Sequence, residues 1–291
     1  MRTGATGARW GVRDAVRDAT AELENAGVPE PAASAEVLLA ELLGIGRAEV
    51  FVGRTPLSEE QHAVYGTWIS RRKQREPVQR ILGRAYFRQL ELELNEETLI
   101  PRPDTESVVE AAREVIDRRA GRCRVLDLGT GSGAIAISIA QERPYCEVHA
   151  TDSSEKALEA ARQNAEAARA ELFFYRADLF SDLKDLGENV SLLVSNPPYV
   201  RSADLQYLAP EVRDWDPHSA LDGGPDGLSF YRRIFAEAGP LLENGADVVL
   251  EVSNGQAEAV SELGREAGFV PLGTRDDLTG TPRAVLSRWT G

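Results

Sequence analysis

Three stretches of the chain bring together residue types whose spacing could do chemistry. In "SNPPYV", residues 195–200, an amide, two prolines and an aromatic ring follow the apolar run "VSLLVS". Proline has no N–H, so the carbonyls of Pro197 and Pro198 and the side-chain oxygen of Asn196 predict a stiff rim rich in acceptors. A planar NH2 group needs two acceptors, and Tyr199 offers a flat face against which it can pack. The stretch therefore reads as a clamp for an amide or an exocyclic amine. A loop that only ends a strand accounts for the prolines but not for the Asn and Tyr beside them.

The second stretch, "VLDLGTGSGAIAI" at 125–137, runs strand, glycine loop, helix. The loop Gly129, Thr130, Gly131, Ser132 and Gly133 lets the backbone approach a ligand, and the following helix presents its N-terminal N–H groups. The third stretch, "ATD", ends the next strand at Asp152, where a carboxylate can accept both hydroxyls of a ribose. The glycine spacing alone also satisfies a dinucleotide fingerprint when Ala134 is taken as its last position. Asp127 argues against a pyrophosphate, which it would repel. It favours S-adenosylmethionine, which carries an ammonium and a sulfonium and no phosphate. Asp178 closes the third strand where an adenine edge would lie, with Leu179 and Phe180 as apolar cover. Any one of these fits ordinary loop chemistry; the ordered series points to S-adenosylmethionine as cofactor. Fixing a poorly nucleophilic NH2 in line with a methyl sulfonium supplies proximity and orientation. Acceptors around it stabilise the positive charge that develops on nitrogen.

Such a site needs a sheet edge to hold it, and the chain changes grammar to supply one. Residues 1–83 read as a helical domain. Val12, Ala15, Val16, Ala19 and Leu23 share a face, Gly27 and Gly44 act as stops, and Ser58 with Gln61 has capping-box spacing. From 84 to 104 the period falls to two, predicting a β-hairpin linker with "NEE" (95–97) as its turn and "PRP" (101–103) as the interdomain connection. From 105 to 291 helices and strands alternate, ending in two short strands. That predicts an α/β domain with a mostly parallel sheet covered by helices on both faces; joined to the S-adenosylmethionine loop and the amine clamp above, it reads as a Rossmann-like methyltransferase domain.

Composition narrows the classes. With 42% hydrophobic and 27% charged residues the chain suits a soluble protein with a sizeable core. No apolar run approaches the ~18 residues of a membrane span, and the N-terminus has no signal-like apolar core. Two cysteines, Cys123 and Cys146, suit a reducing cytoplasm. His62, His149 and His218 lack ligand spacing to each other or to the cysteines, so no metal is expected. Net charge is −14, all of it carried after residue 85. An acidic catalytic part is a poor grip for nucleic acid. The basic run "RRKQR" at 71–75 reads as a solvated helix end.

The series "LIPRPDTE", "VLDLGTGSGAIAI", "ATDSSEKALEAARQNA", "VSNPPYV" and "PEVRDWDPHSALDGGPDGLSFYRRI" resembles the release factor glutamine methyltransferases, the PrmC/HemK family. "ASAEVLLAELLGIGRAEVF" and "REPVQRILGRAYFRQLEL" extend the resemblance over nearly the whole chain. "NPPY" is shared with adenine and cytosine amino methyltransferases; "LIPRPDTE" with "ALDGGPDGL" is more specific. The resemblance implies methylation of the side-chain amide of the glutamine in the Gly-Gly-Gln motif of peptide chain release factors. It implies a cofactor loop at Gly129–Gly133, a ribose carboxylate at Asp152, and Asp178 and Leu179 beside the adenine. Asn196, Pro197, Pro198 and Tyr199 would hold the glutamine, with Asn196, Pro197 and Tyr199 closest to the chemistry and Asn196 also reaching the cofactor. Arg102 and Thr105 would line the crevice or anchor the interdomain hinge, and the helical domain would help dock the release factor. The chain departs from the pattern after "ADVVLEV", where the family usually has Glu-x-Gly and this sequence has Ser253, with Gly255 two residues later. Competing readings are a dinucleotide oxidoreductase, an amino methyltransferase acting on nucleic-acid adenine or on a ribosomal-protein glutamine, and a non-catalytic adaptor.

Overall fold

Gly27 and Gly44 take left-handed φ values of 68° and 63° just past the first two helices of the computed structural model, where the sequence needs stops. The structure describes residues 11–52, 56–119, 121–181, 183, 186, 187 and 189–291. The opening ten residues, read above as lacking a signal-like core, lie outside that set. Contacts divide the chain into two units, 1–83 and 84–291.

The first unit holds α1 (Val12–Asn25), α2 (Pro31–Leu43), α3 (Arg47–Val52), α4 (Glu59–Lys73) and α5 (Val78–Leu82). Their apolar faces meet in a core that includes Leu23, Leu38, Leu39, Val50 and Ile69. The capping box forms: the Gln61 N–H donates to Ser58 Oγ at 3.1 Å, and the Ser58 N–H donates to Gln61 Oε1 at 3.0 Å. The basic run ends α4 with Lys73 and Gln74 exposed, but it is only partly solvated. Arg72 is buried, donating to Ser34 Oγ and to the Glu76 carbonyl, while Arg71 pairs with Glu76 and Lys73 with Glu22. Those cations close the helical unit on itself.

The second unit opens with a hairpin of β1 (Arg84–Phe87) and β2 (Leu90–Glu93). Its turn is Arg88–Gln89, with Arg88 at φ 53°, and not the "NEE" segment. There, Asn95 makes a local turn in which its Oδ1 accepts the Glu97 N–H at 3.0 Å. An arginine in the left-handed region carries no turn signal in sequence, which is why the alternation was read one strand too long. Phe87, Leu90 and Leu92 are buried with α6 (Glu106–Arg118), so the hairpin belongs to this unit's core and does not stand between two domains.

Seven strands and their helices then follow the expected alternation: β3 (Arg124–Leu128), α7 (Ala134–Glu142), β4 (Glu147–Asp152), α8 (Glu155–Ala168), β5 (Phe173–Arg176) and β6 (Val190–Ser195), then α9 (Pro210–Arg213), α10 (Ser229–Glu237), β7 (Leu242–Glu251), α11 (Ala257–Glu266), β8 (Phe269–Asp276) and β9 (Pro282–Trp289). Helix α10 stops at Glu237 ahead of Gly239 and Pro240, and β7 begins at Leu242. The strand order is β5-β4-β3-β6-β7-β9-β8. The first five run parallel, while β9 inserts antiparallel between β7 and β8. The two tail strands are eight residues each, longer than their sequence suggests. Every residue of β6 is buried, as a central strand covered on both faces must be.

Candidate active site

Strand order reverses between β3 and β6, and at such a switch point the carboxyl ends of the strands open a crevice. The register decides what faces it. Leu128 pairs with Thr151 on one side and Ser195 on the other, and Ser195 pairs with Leu250. The next residues, Gly129, Asp152, Asn196 and Glu251, therefore leave four adjacent strands at one level.

The loop after β3 is held by its own polar groups. Gly129 and Gly131 have φ of 69° and 56°. The Gly131 N–H donates to Asp152 Oδ2 at 2.9 Å, and the Ser154 N–H to Asp152 Oδ1 at 2.9 Å. Each carboxylate oxygen keeps further acceptor capacity for a ligand. Burial pushes the Asp152 carboxyl above its ordinary range, and these two N–H groups draw it back. Asn164 of α8, itself buried, donates to the Ser132 and Glu93 carbonyls and so ties the loop to the hairpin. Asp127 is placed differently from the sequence reading. It is wholly buried beneath the loop, accepting from Thr130 Oγ1 at 2.7 Å, and burial lifts its carboxyl to about 7. Gly133 caps α7 away from the crevice; a side chain there would meet Ile137 Cδ1 at 2.7 Å.

A cavity of about 440 Å³ lies over this edge. Gly129, Thr130, Gly131, Ser132, Asp152, Asp178, Leu179, Asn196, Pro197 and Pro198 all line it, as do Arg102 and Thr105; Gly133 and Tyr199 do not. Leu179, at φ 54°, supplies apolar wall, and in place of Phe180 the ring is Phe230. Leu99, Ile135 and Ala220 complete the apolar side, and Glu97 adds a carboxylate. The lining thus carries three acids (Glu97, Asp152 and Asp178) against one cation, Arg102, which is already paired with buried Asp216 at 2.6 Å. Asp178 is exposed and bound by the Arg233 guanidinium at 3.1 Å. Such a lining disfavours a pyrophosphate and favours a cationic, phosphate-free nucleoside. The argument from charge holds, but these lining acids carry it and not Asp127.

The Asn-Pro-Pro-Tyr segment is held in two layers. Asn196 Nδ2 donates to Thr105 Oγ1 at 3.3 Å, which leaves the Oδ1 end for the cavity. Behind them the Tyr199 hydroxyl reaches Glu251 Oε1 at 3.4 Å, so the ring is engaged at its polar tip. Burial raises the Tyr199 phenol. It also lifts the Glu251 carboxyl to about 7, against Thr105 and Arg283, which draw it down. The segment "LDGG" lies along the clamp: the Val200 N–H donates to the Leu221 carbonyl at 2.9 Å, and the Gly223 N–H to the Val200 carbonyl at 2.8 Å. A Cβ on Gly223 would come within 2.7 Å of Tyr199 Cα and 2.8 Å of the Pro198 carbonyl, both backbone. In "ALDGGPDGL", Gly223 is what lets the two loops touch. Gly223→Ala should shift the Asn-Pro-Pro-Tyr backbone, lowering methyl transfer about tenfold or more while cofactor affinity holds. Steady-state rates beside calorimetric binding check it; an unchanged rate would mean the clamp tolerates the displacement. At the departure from the Glu-x-Gly pattern, Ser253 keeps a negative φ and donates its N–H to Gln256 Oε1 at 3.0 Å, while Gly255 takes the left-handed turn at 82°.

Residues 14–83 match the PrmC N-terminal domain profile, and 112–211 the methyltransferase small domain. A release factor glutamine methyltransferase of Geobacter sulfurreducens is 38% identical over 280 residues, covering 96% of this chain and 97% of the relative. The chain belongs to the release factor glutamine methyltransferase family. Another release factor glutamine methyltransferase, from Streptomyces coelicolor, is 41% identical over 276 residues, covering 94% of this chain and 96% of its own. In fold alone, the chain is similar to the crystal structure of a methyltransferase from Pyrococcus furiosus, at a TM-score of 0.51 and 19% identity over 69% of this chain and 90% of that one.

Proposed function

We propose that this chain methylates the side-chain amide nitrogen of the glutamine in the Gly-Gly-Gln motif of peptide chain release factors, with S-adenosylmethionine as methyl donor. The observation that carries the reading is the Asn196 amide, fixed by Thr105 so that its oxygen is left for an NH2 group beside the acid-lined cavity. The residues present fit the cofactor. Asp152 would take the ribose hydroxyls, Leu179 and Phe230 would flank the base, and Asp178 would release Arg233 or share it. When bound, S-adenosylmethionine supplies an activated methyl group; this chain's residues orient the acceptor and solvate the charge that forms on it. Asn196 accepts from the amide NH2, and the Pro197 and Pro198 segment, without N–H groups, adds no competing donor. No strong base is needed beforehand, since the proton can leave to water after transfer.

Incubating the protein with labelled cofactor and a purified release factor, then mapping the label by mass spectrometry, tests this. Label on the Gly-Gly-Gln glutamine supports it. Equal label on a factor whose glutamine is replaced by alanine removes it.

The helical unit is proposed to dock the release factor, and the site of action is the cytoplasm, where translation takes place. The acidic catalytic unit argues against direct grip on nucleic acid. A protein of residues 84–291 should stay folded and bind cofactor, because loop, carboxylate and clamp all lie within that unit. It should methylate intact release factor at least tenfold more slowly. Full activity from the shortened chain would end the docking role.

A further inference from the structure

Glu251 is the one strand-end residue at the crevice that the reading above leaves unused. It is 1% exposed at the end of β7, one register step from Asn196, and does not line the cavity. Its Oε1 meets the Tyr199 hydroxyl, while Oε2 is buried without a hydrogen bond of good geometry. A buried, half-partnered carboxyl is costly, and an apolar residue would fill a strand end more cheaply. Thr105 lies beside that carboxyl and is also the partner of Asn196 Nδ2.

We propose that Glu251 is a positioning residue for methyl transfer: it orients the Thr105 hydroxyl and the Tyr199 ring, and through Thr105 it fixes which end of the Asn196 amide faces the acceptor. The inference rests on the proposed methylation and deepens it. Thr105 can donate its single O–H to Glu251 and still accept from Asn196 Nδ2. That polarity leaves Asn196 only one orientation, with Oδ1 toward the incoming NH2. If Thr105 donated to Asn196 instead, the amide would be turned and would present donors to a donor. As a carboxylate, Glu251 also sets a negative charge one layer behind a nitrogen that becomes positive during transfer.

The charged and titratable groups around it are known. Tyr199 follows β6; Tyr231, on α10, donates to the Glu251 carbonyl at 2.7 Å; Asp104 comes from the turn before α6 and Arg283 from β9. Asp104 and Arg283 pair at 3.0 Å, and Arg283 also pairs with Asp277, so no bare cation neutralises Glu251 in full. Burial places its ionisation near 7, protonated below and charged above. A cationic cofactor nearby favours the charged form and moves that ionisation lower. The rate should therefore climb with pH along a limb at or below neutrality.

The experiment is single-turnover methylation of a release factor between pH 5.5 and 8.5 by the full-length protein and by Glu251→Gln. Calorimetry with S-adenosylmethionine runs beside it. Glu251→Gln keeps the shape and one acceptor but loses the charge. Its rate should fall at least tenfold at pH 8 and its acidic limb should flatten, while its cofactor affinity should fall by much less than its rate. Thr105→Val should share the rate defect, and the double variant should be no slower than the worse single one. A wild-type rate and limb in Glu251→Gln would overturn the proposal, as would a loss confined to cofactor binding. Absence of methylation by the unaltered protein would instead bring down the substrate reading on which this rests.

Discussion

Asp152→Ala is expected to weaken binding of S-adenosylmethionine by roughly ten- to a hundredfold while the fold survives. The carboxylate leaves β4 level with Gly129, so it reaches the cavity from rigid sheet and not from a mobile loop. Two ribose hydroxyls donating to a charged acceptor are each worth about 1.5–3 kcal/mol, part of which water replaces. Part of the loss would be indirect, because Asp152 also receives the Gly131 and Ser154 N–H groups and steadies the glycine loop. Asp152→Asn is the milder variant: it keeps an acceptor for one of the two backbone N–H groups but forfeits the charge and the other acceptor. The pH dependence has a fixed sign. Burial raises the Asp152 carboxyl, so acidification protonates it earlier than an ordinary aspartate, and cofactor affinity should fall as pH drops. Calorimetry across pH reads both. Unchanged affinity in Asp152→Ala would put the ribose elsewhere, and tighter binding of NAD than of S-adenosylmethionine would overturn the cofactor.

The central strands were legible because parallel strands buried on both faces leave unbroken apolar runs with hard stops. "VSLLVS" ends at Asn-Pro-Pro, and "RVLDL" ends at a glycine. The cofactor loop and clamp were legible because their chemistry is local, a few residues each. Register was not, since no single strand says which neighbour's last residue lies beside its own. The alignment of Gly129, Asp152, Asn196 and Glu251 emerges only in three dimensions. The same limit hid the distant walls. Glu97, Leu99 and Phe230 come from a turn and a helix far along the chain, and Phe230 rather than its neighbour Tyr231 faces the cavity. Asp127 shows the opposite failure: an acid beside a glycine loop has the look of a ligand contact, yet its side chain is buried beneath that loop and accepts from Thr130. On β3 every position from Val125 to Leu128 is buried, Asp127 among them, as in a strand covered on both faces.

Asn196→Ala is expected to abolish methyl transfer with only a modest loss of release-factor affinity. Two whole proteins dock over a broad surface, to which one amide at the bottom of a cleft contributes little. In the chemical step the same amide matters far more. Its oxygen is held by the Thr105 contact at 3.3 Å and by the stiffness of Pro197 and Pro198, so it need not reorganise as charge develops on the acceptor nitrogen. Loss of one such positioned contact typically costs about a hundredfold or more in turnover. The substitution removes a second thing as well, the partner of Thr105, so the backbone rim alone would face the amide. Asn196→Asp sharpens the test. It keeps an acceptor and adds negative charge, but it cannot donate to Thr105, so its carboxylate would sit unanchored beside Glu251 and the two acids would repel. A charge-driven clamp would leave Asn196→Asp active; an orientation-driven one would leave it nearly as slow as Asn196→Ala. The geometry favours the second outcome, because the Thr105 contact is what assigns the amide its direction. Single-turnover methylation with saturating factor, beside a binding titration, distinguishes a slow step from weak docking. A near-normal rate in Asn196→Ala would end the clamp mechanism, since the amide would then not be what orients the acceptor nitrogen.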